Sequence, residues 1–153
     1  MDYVNIGGRK VSRIILGSNP FSGFSHQGVD RDREMMDYYR SRRVLDTMHE
    51  AARQGINTLV ARTDNFVIRM LMEFGQEGGE LQWFAQTCPE VGPQEMCMER
   101  AASMNATACH LHGGVADHLY ATGRLDEFKP LIAMIRERGM LAAIAAHQVE
   151  VVE

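Results

Sequence analysis

The residues best suited to chemistry in this chain are histidines. The stretch "ACHLHGG", Ala108 to Gly114, sets His110 and His112 two residues apart at the end of an apolar run and places two glycines behind them. On a β-strand that spacing turns both histidines to one side and Cys109 and Leu111 to the other. His147 follows a second apolar run, "MLAAIAA". Three neutral imidazoles at the same end of neighbouring strands could hold Zn²⁺ or another divalent ion with one position left open for water. Without a metal, His112 and His110 could serve acid/base catalysis or bind an anion. A purely structural reading stands beside these, with His110 a buried, hydrogen-bonded side chain. Asn19, His26, Arg62 and Asp64 fall in loops at the same expected end, and Asn19 and Arg62 are the candidates for contact with a small-molecule substrate.

Cys88 would be a nucleophile if a histidine lay within hydrogen-bond reach. The simpler reading makes Cys88, Cys97 and Cys109 small hydrophobes. Three cysteines form neither an even disulfide framework nor a CxxC pair, which fits free thiols in a reducing compartment. Gly113-Gly114 permits a strand-to-helix turn or close approach of an anion to the backbone. Asp117 and His118 read as surface residues of a short helix, and no carboxylate pair is spaced for acid/base work.

Composition narrows the classes. With 153 residues and 45% hydrophobic side chains, the chain reads as one globular domain over 1–153. A formal charge of −4 and the lack of a basic stripe argue against nucleic acid; Arg40, Arg42 and Arg43 are the densest cationic group and fit a solvated helix face. No apolar run approaches the roughly 18 to 20 residues of a membrane span, and "MDYVNIGGRK" lacks the apolar core of a signal peptide. The expected compartment is the cytoplasm. Eleven methionines suit adaptable core filling or a malleable contact surface.

The elements that must position these residues follow from periodicity. Gly7-Gly8 between two alternating stretches marks a tight hairpin. "RIILG" is expected to be a first strand buried on both faces, followed by a functional loop from Gly17 to Asp30. "REMMDYYRS" can form a short helix. A second helix, with Ser41 as its N-cap, carries Val44, Leu45, Met48, Ala51 and Ala52. "INTLVA", "LQWFAQ", "TACHLH" and "MLAAIAA" read as four further strands. Between them Asn65 can cap one helix, Pro93 fits as the first residue of another, and a third starts at about Asp126, with one or two turns over Val115 to Ala121. Five strands alternating with helices imply a parallel sheet. "GSNPFSG" has neither the GxGxxG nor the GxxxxGK[ST] spacing, which favours part of a (β/α)8 barrel over a doubly wound nucleotide fold. The expected fold is therefore α/β, a partial TIM barrel or half-barrel preceded by a β-hairpin.

"IGGRKVSRIILGSNPFSG" together with "AARQGINTLVART" resembles the start of the aldo-keto reductases. Those chains open with a hairpin, a "VSrlglG" first strand and an "AleaGiN" approach to the second. The resemblance covers the hairpin and two βα units well, and the rest more loosely as far as His147. It implies a (β/α)8 lineage in which the hairpin plugs the N-terminal end of the barrel. The family's chemistry is not implied with it. The aspartate position reads Val60, "ARTDNFVIRML" contains no tyrosine, and the lysine expected after the third strand is replaced by Gln86, Thr87 and Cys88. Only the family's histidine has a counterpart, His112. Cofactor binding in such reductases lies largely in the last third of the barrel, so none is implied for this stretch and any cofactor is left unknown.

A complete barrel of this type takes about 250 residues. A chain reaching just past a fifth strand is expected either to be a truncated relative or to seal its edges with another copy, most simply as a two-fold homodimer. The expected function is that of a self-associating half-barrel without reductase activity. Its alternative is a metal- or histidine-dependent hydrolase or isomerase acting on a small molecule at the carboxyl ends of the strands.

Overall fold

The computed structural model describes residues 1–152. The chain opens with β1 (Tyr3–Ile6) and β2 (Arg9–Ser12), an antiparallel pair with Tyr3 opposite Ser12 and Ile6 opposite Arg9. Gly7 and Gly8 both have positive φ, 56° and 82°, as a two-residue I′ turn requires. The Asn5 side chain accepts the Gly8 N–H and closes that turn.

Five further strands form a parallel sheet. They are β3 (Leu16–Gly17), β4 (Thr58–Arg62), β5 (Gln82–Gln86), β6 (Ala108–Leu111) and β7 (Leu141–Ile144), ordered β3-β4-β5-β6-β7. Spatial order follows chain order without reversal. That is the strand order of half a (β/α)8 barrel, whereas a doubly wound sheet reverses at a switch point. The connections carry α1 (Asn19–Ser22), α2 (Val29–Tyr38), α3 (Ser41–Arg53), α4 (Asn65–Gln76), α5 (Gln94–Ser103), α6 (Gly113–Ala121) and α7 (Phe128–Glu137). Among the described residues no helix is long and apolar enough to cross a membrane.

By density of backbone contacts the chain divides into two compact units, the first comprising Met1–Ala61 and Asn65–Gln82, the second Arg62–Asp64 and Trp83 onward. In the first unit Val44, Leu45, Met48 and Ala51 form the buried stripe of α3, at the expected spacing. Val67, Met70 and Phe74 form that of α4. Glu77 joins the two helices from outside, bonding Arg42 at 2.6 Å and His49 at 2.8 Å. The hairpin is tied to the amino ends of the strands. Asn57 accepts the Ser12 N–H and donates to the Lys10 carbonyl, and the Gln82 side chain donates to that same carbonyl.

Three local expectations are corrected here. The first strand shrinks to Leu16–Gly17, and Ile14 is 60% exposed, because β3 lies at the edge of the sheet and pairs with β4 over two residues only. The loop after Gly17 contains α1, started by Pro20 in its first turn and stopped by left-handed Gly23, and α2 begins four residues earlier than read. Ser41 is the first residue of α3 and not its N-cap; Arg40 holds that position without a side-chain bond.

In the second unit, β5 and β6 align Ala85 with Cys109 and Gln86 with His110, and β6 and β7 align Cys109 with Ala142 and His110 with Ala143. The face bearing Ala85, Cys109 and Leu111 is fully buried, and α5 and α7 pack against β6 and β7. Those helices contribute Cys97, Met98, Ala101 and Ile135, all fully buried. The opposite face carries the half-buried Phe84, Gln86 and His110 and the exposed Ala143.

Candidate functional site

The carboxyl ends of β4, β5 and β6 are stitched by a repeated device. Thr63, just past β4, donates both its N–H and its hydroxyl to the Gln86 carbonyl, at 3.0 and 3.1 Å. Thr87, just past β5, donates its N–H to the His110 carbonyl, and its hydroxyl oxygen accepts the His112 N–H at 3.0 Å. Both threonines are fully buried, so the backbone that carries the next residues is fixed.

His112 lies one residue beyond β6, with φ −57° and ψ 135°. It is the N-cap of α6, and its Nδ1 accepts the Gly114 N–H at 3.1 Å. A ring nitrogen that accepts carries no hydrogen, so the proton sits on Nε2. The helix also starts two residues before the expected Val115, because this cap satisfies one of its first free N–H groups.

His110 stays on the strand, half-buried between Gln86 and Ala143. Burial and then the nearby His112 push its pKa down, against a hydrogen bond with the Ala85 backbone. It is a neutral imidazole held within the sheet.

His147 follows β7 and is bound by Asp117 of α6 through two contacts. Its backbone N–H reaches Oδ1 at 3.1 Å and its ring Nδ1 reaches Oδ2 at 2.5 Å. Hydrogen bonds from the His147 ring and backbone hold the Asp117 carboxyl below the usual carboxylate range. An ionised carboxylate only accepts, so Nδ1 bears the proton, and in the neutral ring Nε2 of His147 presents a lone pair. The ring packs on Gly113: a Cβ built there would sit 2.9 Å from His147 Cε1. Glycine lets the ring sit this close, and an alanine methyl here would make the ring shift. Asp117, expected to be a surface residue of a short helix, lies on that helix and also bonds His147, and His118 is exposed. Sequence offered no cue to this pair, since the partners are thirty residues apart and meet only through the turn at Gly113.

Arg62 ends β4 with its side chain 10% exposed. Its Nε bonds Asp64 at 3.0 Å and its Nη2 bonds Glu90 at 2.5 Å. Burial works against its charge, and the bonds to Glu90 and Asp64 more than offset that, so its pKa is raised. Glu90, not singled out from sequence, lies in the turn closed by the bond from Val91 N–H to the Cys88 carbonyl. Its carboxyl is partly desolvated, yet its own backbone N–H, Arg62 and the nearby His112 keep its pKa below the ordinary value.

Cys88 is fully buried, its thiol pushed up by burial, and its N–H points to Cys97 Sγ. Cys109 is pushed up to about 12, again by burial. Neither is a thiolate at neutral pH, so neither serves as a nucleophile.

The expected sites are thus partly assembled. His112 and His147 flank Gly113-Gly114, and His112 acts electrostatically on Asp117 and on Glu90. Among the described residues no group of three or more His, Cys, Asp and Glu side chains is placed to hold a metal ion. His112 Nδ1 is engaged in its cap and His147 Nδ1 with Asp117. Asn19 belongs to the first unit as the first residue of α1, where its carbonyl accepts the Phe24 N–H. No family model, curated protein or solved structure matches the chain.

Proposed function

We propose that the carboxyl ends of β5 to β7 form a metal-free site for proton transfer at or beside the carbonyl group of a small molecule, of the isomerase or hydrolase type. One observation carries this reading: the Asp117–His147 pair seated on Gly113 beside the capping ring of His112. His147 is 74% exposed at its side chain, and its Nε2 can accept a proton from water or from a carbon next to a carbonyl. His112 offers Nε2–H, a donor that can bond the carbonyl oxygen as that oxygen gains charge. Asp117 is a positioning residue, fixing the tautomer of His147.

The same proposal includes aldo-keto-reductase-like ancestry without reductase activity. The hairpin tied to the amino ends of the strands and the barrel-like strand order support the ancestry. Val60, Thr87 and Cys88 at the expected catalytic positions support the loss. It also includes self-association, since β3 and β7 are sheet edges and the face with Phe84, Gln86, His110 and Ala143 is not fully covered. Sedimentation at micromolar concentration should report a dimer, and a monomer would contradict that part.

Small hydroxy-ketones, oxo acids and esters incubated with the protein in D₂O and followed by proton NMR test the chemistry. Deuterium uptake or hydrolysis that falls about 10²-fold or more in His147→Gln is expected for general-base catalysis. A panel on which wild type and His147→Gln cannot be told apart would contradict the reading.

A further inference from the structure

We propose that the segment between β3 and α3 builds a second site, a cleft on α2 that binds an uncharged, planar heteroaromatic ring of the nucleobase kind. The proposal stands on the first compact unit alone and is independent of the chemistry placed at β5 to β7.

A strand-to-helix connection in such a sheet needs only roughly 2 to 6 residues. Here Ser18 to Arg40 intervene and fold into α1 and α2. The bracket they form is fixed. Asp32 accepts the N–H and the hydroxyl of Ser25, both at 2.7 Å, and a Cβ built on Gly23 would sit 2.7 Å from Met36 Cγ. Yet α2 has no buried residue. Helices in proteins draw most of their stability from a packed face. The face left unfilled is Arg31, Glu34, Met35 and Tyr38, spaced as one side of a helix. With Pro20 and Tyr39 these residues line a cleft of about 570 Å³, within the roughly 300 to 1,000 Å³ of small-molecule sites. A ligand ring in the cleft supplies the packing that the chain itself does not.

The lining selects the ligand. Tyr38 and Tyr39 stand nearly at right angles, with ring planes 78° apart and centroids 4.9 Å apart. Both rings are braced. The buried Phe21 meets Tyr39 at 5.1 Å between centroids, and the Arg43 guanidinium lies 4.3 Å from the Tyr38 centroid. Braced aromatic rings offer a flat partner stacked or edge-on contact, and every nucleobase has a face to give them. Arg31 and Glu34 bond each other at 2.7 Å and cancel in charge, so the cleft does not favour an ion. Their other donors and acceptors, with the two phenol hydroxyls, bond polar atoms on the edge of a ring, which a hydrocarbon lacks.

Adenosine is the probe, with ribose as the control without a ring and adenosine monophosphate as the control with charge. Binding is followed by the tyrosine ring signals in proton NMR, assigned through Tyr38→Leu and Tyr39→Leu. Adenosine should shift the Tyr38 and Tyr39 signals with a Kd of about 1 mM or below. Ribose should not shift them, and the monophosphate should bind no more tightly than adenosine. Tyr38 is 57% exposed, so Tyr38→Leu keeps the fold, and it should weaken adenosine binding about fivefold or more, as the loss of one stacking ring does. Met35→Trp, which puts a ring into the cleft, should exclude adenosine; if that variant does not fold, Tyr38→Leu decides. Binding in His147→Gln should be unchanged. The proposal is overturned by the absence of a saturable shift with adenosine, by equal binding in wild type and Tyr38→Leu, or by binding that survives in folded Met35→Trp. An equal shift with ribose, tighter binding of the monophosphate, or loss of adenosine binding in His147→Gln would overturn it as well.

Discussion

The two compact units are built from the same strand-helix alternation, yet they treat the carboxyl ends of their strands differently. In the first unit, the space between Ser18, Phe21, Met48, Leu59 and Val67 is filled to a residual cavity of about 10 Å³, barely enough for one water. Its charged pairs, such as Arg42 with Asp46 and Glu77, lie outside on helix surfaces. In the second unit the strand ends carry Arg62, Glu90, His112, Asp117 and His147, each hydrogen-bonded in a way that sets which atom faces solvent. The difference separates packing from chemistry. Polar groups at the second unit's strand ends are oriented by backbone N–H groups and carboxylates, which confers little stability and much direction.

Substitutions can break this contrast. The largest effect on stability is expected in the first unit: Phe74→Ala, at a side chain 2% exposed, should cost about 3 to 5 kcal/mol in denaturant unfolding. The native imidazole signals of His112 and His147 should not shift. Next comes Gly113→Ala, whose new methyl must displace the His147 ring from Asp117. Turnover dependent on His147 should fall about 10²-fold, as for other misplacements near 1 Å. His112→Ala should cost about 1 kcal/mol through loss of the α6 cap. His112→Asn should restore that stability without restoring turnover, because asparagine caps but does not replace the imidazole.

The smallest effect sharpens the contrast through pH. The pKa of His110 is lowered in the folded protein, so the unfolded chain takes up its proton first as pH falls. Its contribution is fully present above the ordinary value near 6.5 and is lost as pH drops through the lower folded value. A titration of stability should therefore decline below about pH 6.5 with at most the slope of one proton, and His110→Phe should flatten it. A decline that survives this substitution would place the titrating group elsewhere.

Much of the fold was legible because it rests on periodicity. The stripes of α3 and α4, the Gly7-Gly8 turn and the succession of strands follow from local spacing. Less of the site was legible. His112 was singled out, but not its role as the cap of α6, because a strand-end residue becomes a helix cap only through the turn that follows it. Asp117 and Glu90 carry no local signature. Each acquires its role from a partner brought near by tertiary structure, His147 thirty residues on and Arg62 twenty-eight residues before. Ile14 shows the converse failure, an apolar residue in a good strand pattern left exposed at an edge.

The most direct measurement is a long-range proton-nitrogen NMR correlation of the histidine side chains at neutral pH, assigned through His112→Asn and His147→Gln. The expected result is a proton on Nε2 of His112 and on Nδ1 of His147, with the His147 pattern lost in Asp117→Asn. Rapid averaging of both tautomers at His147, unchanged by Asp117→Asn, would contradict the oriented base on which the proposed chemistry depends.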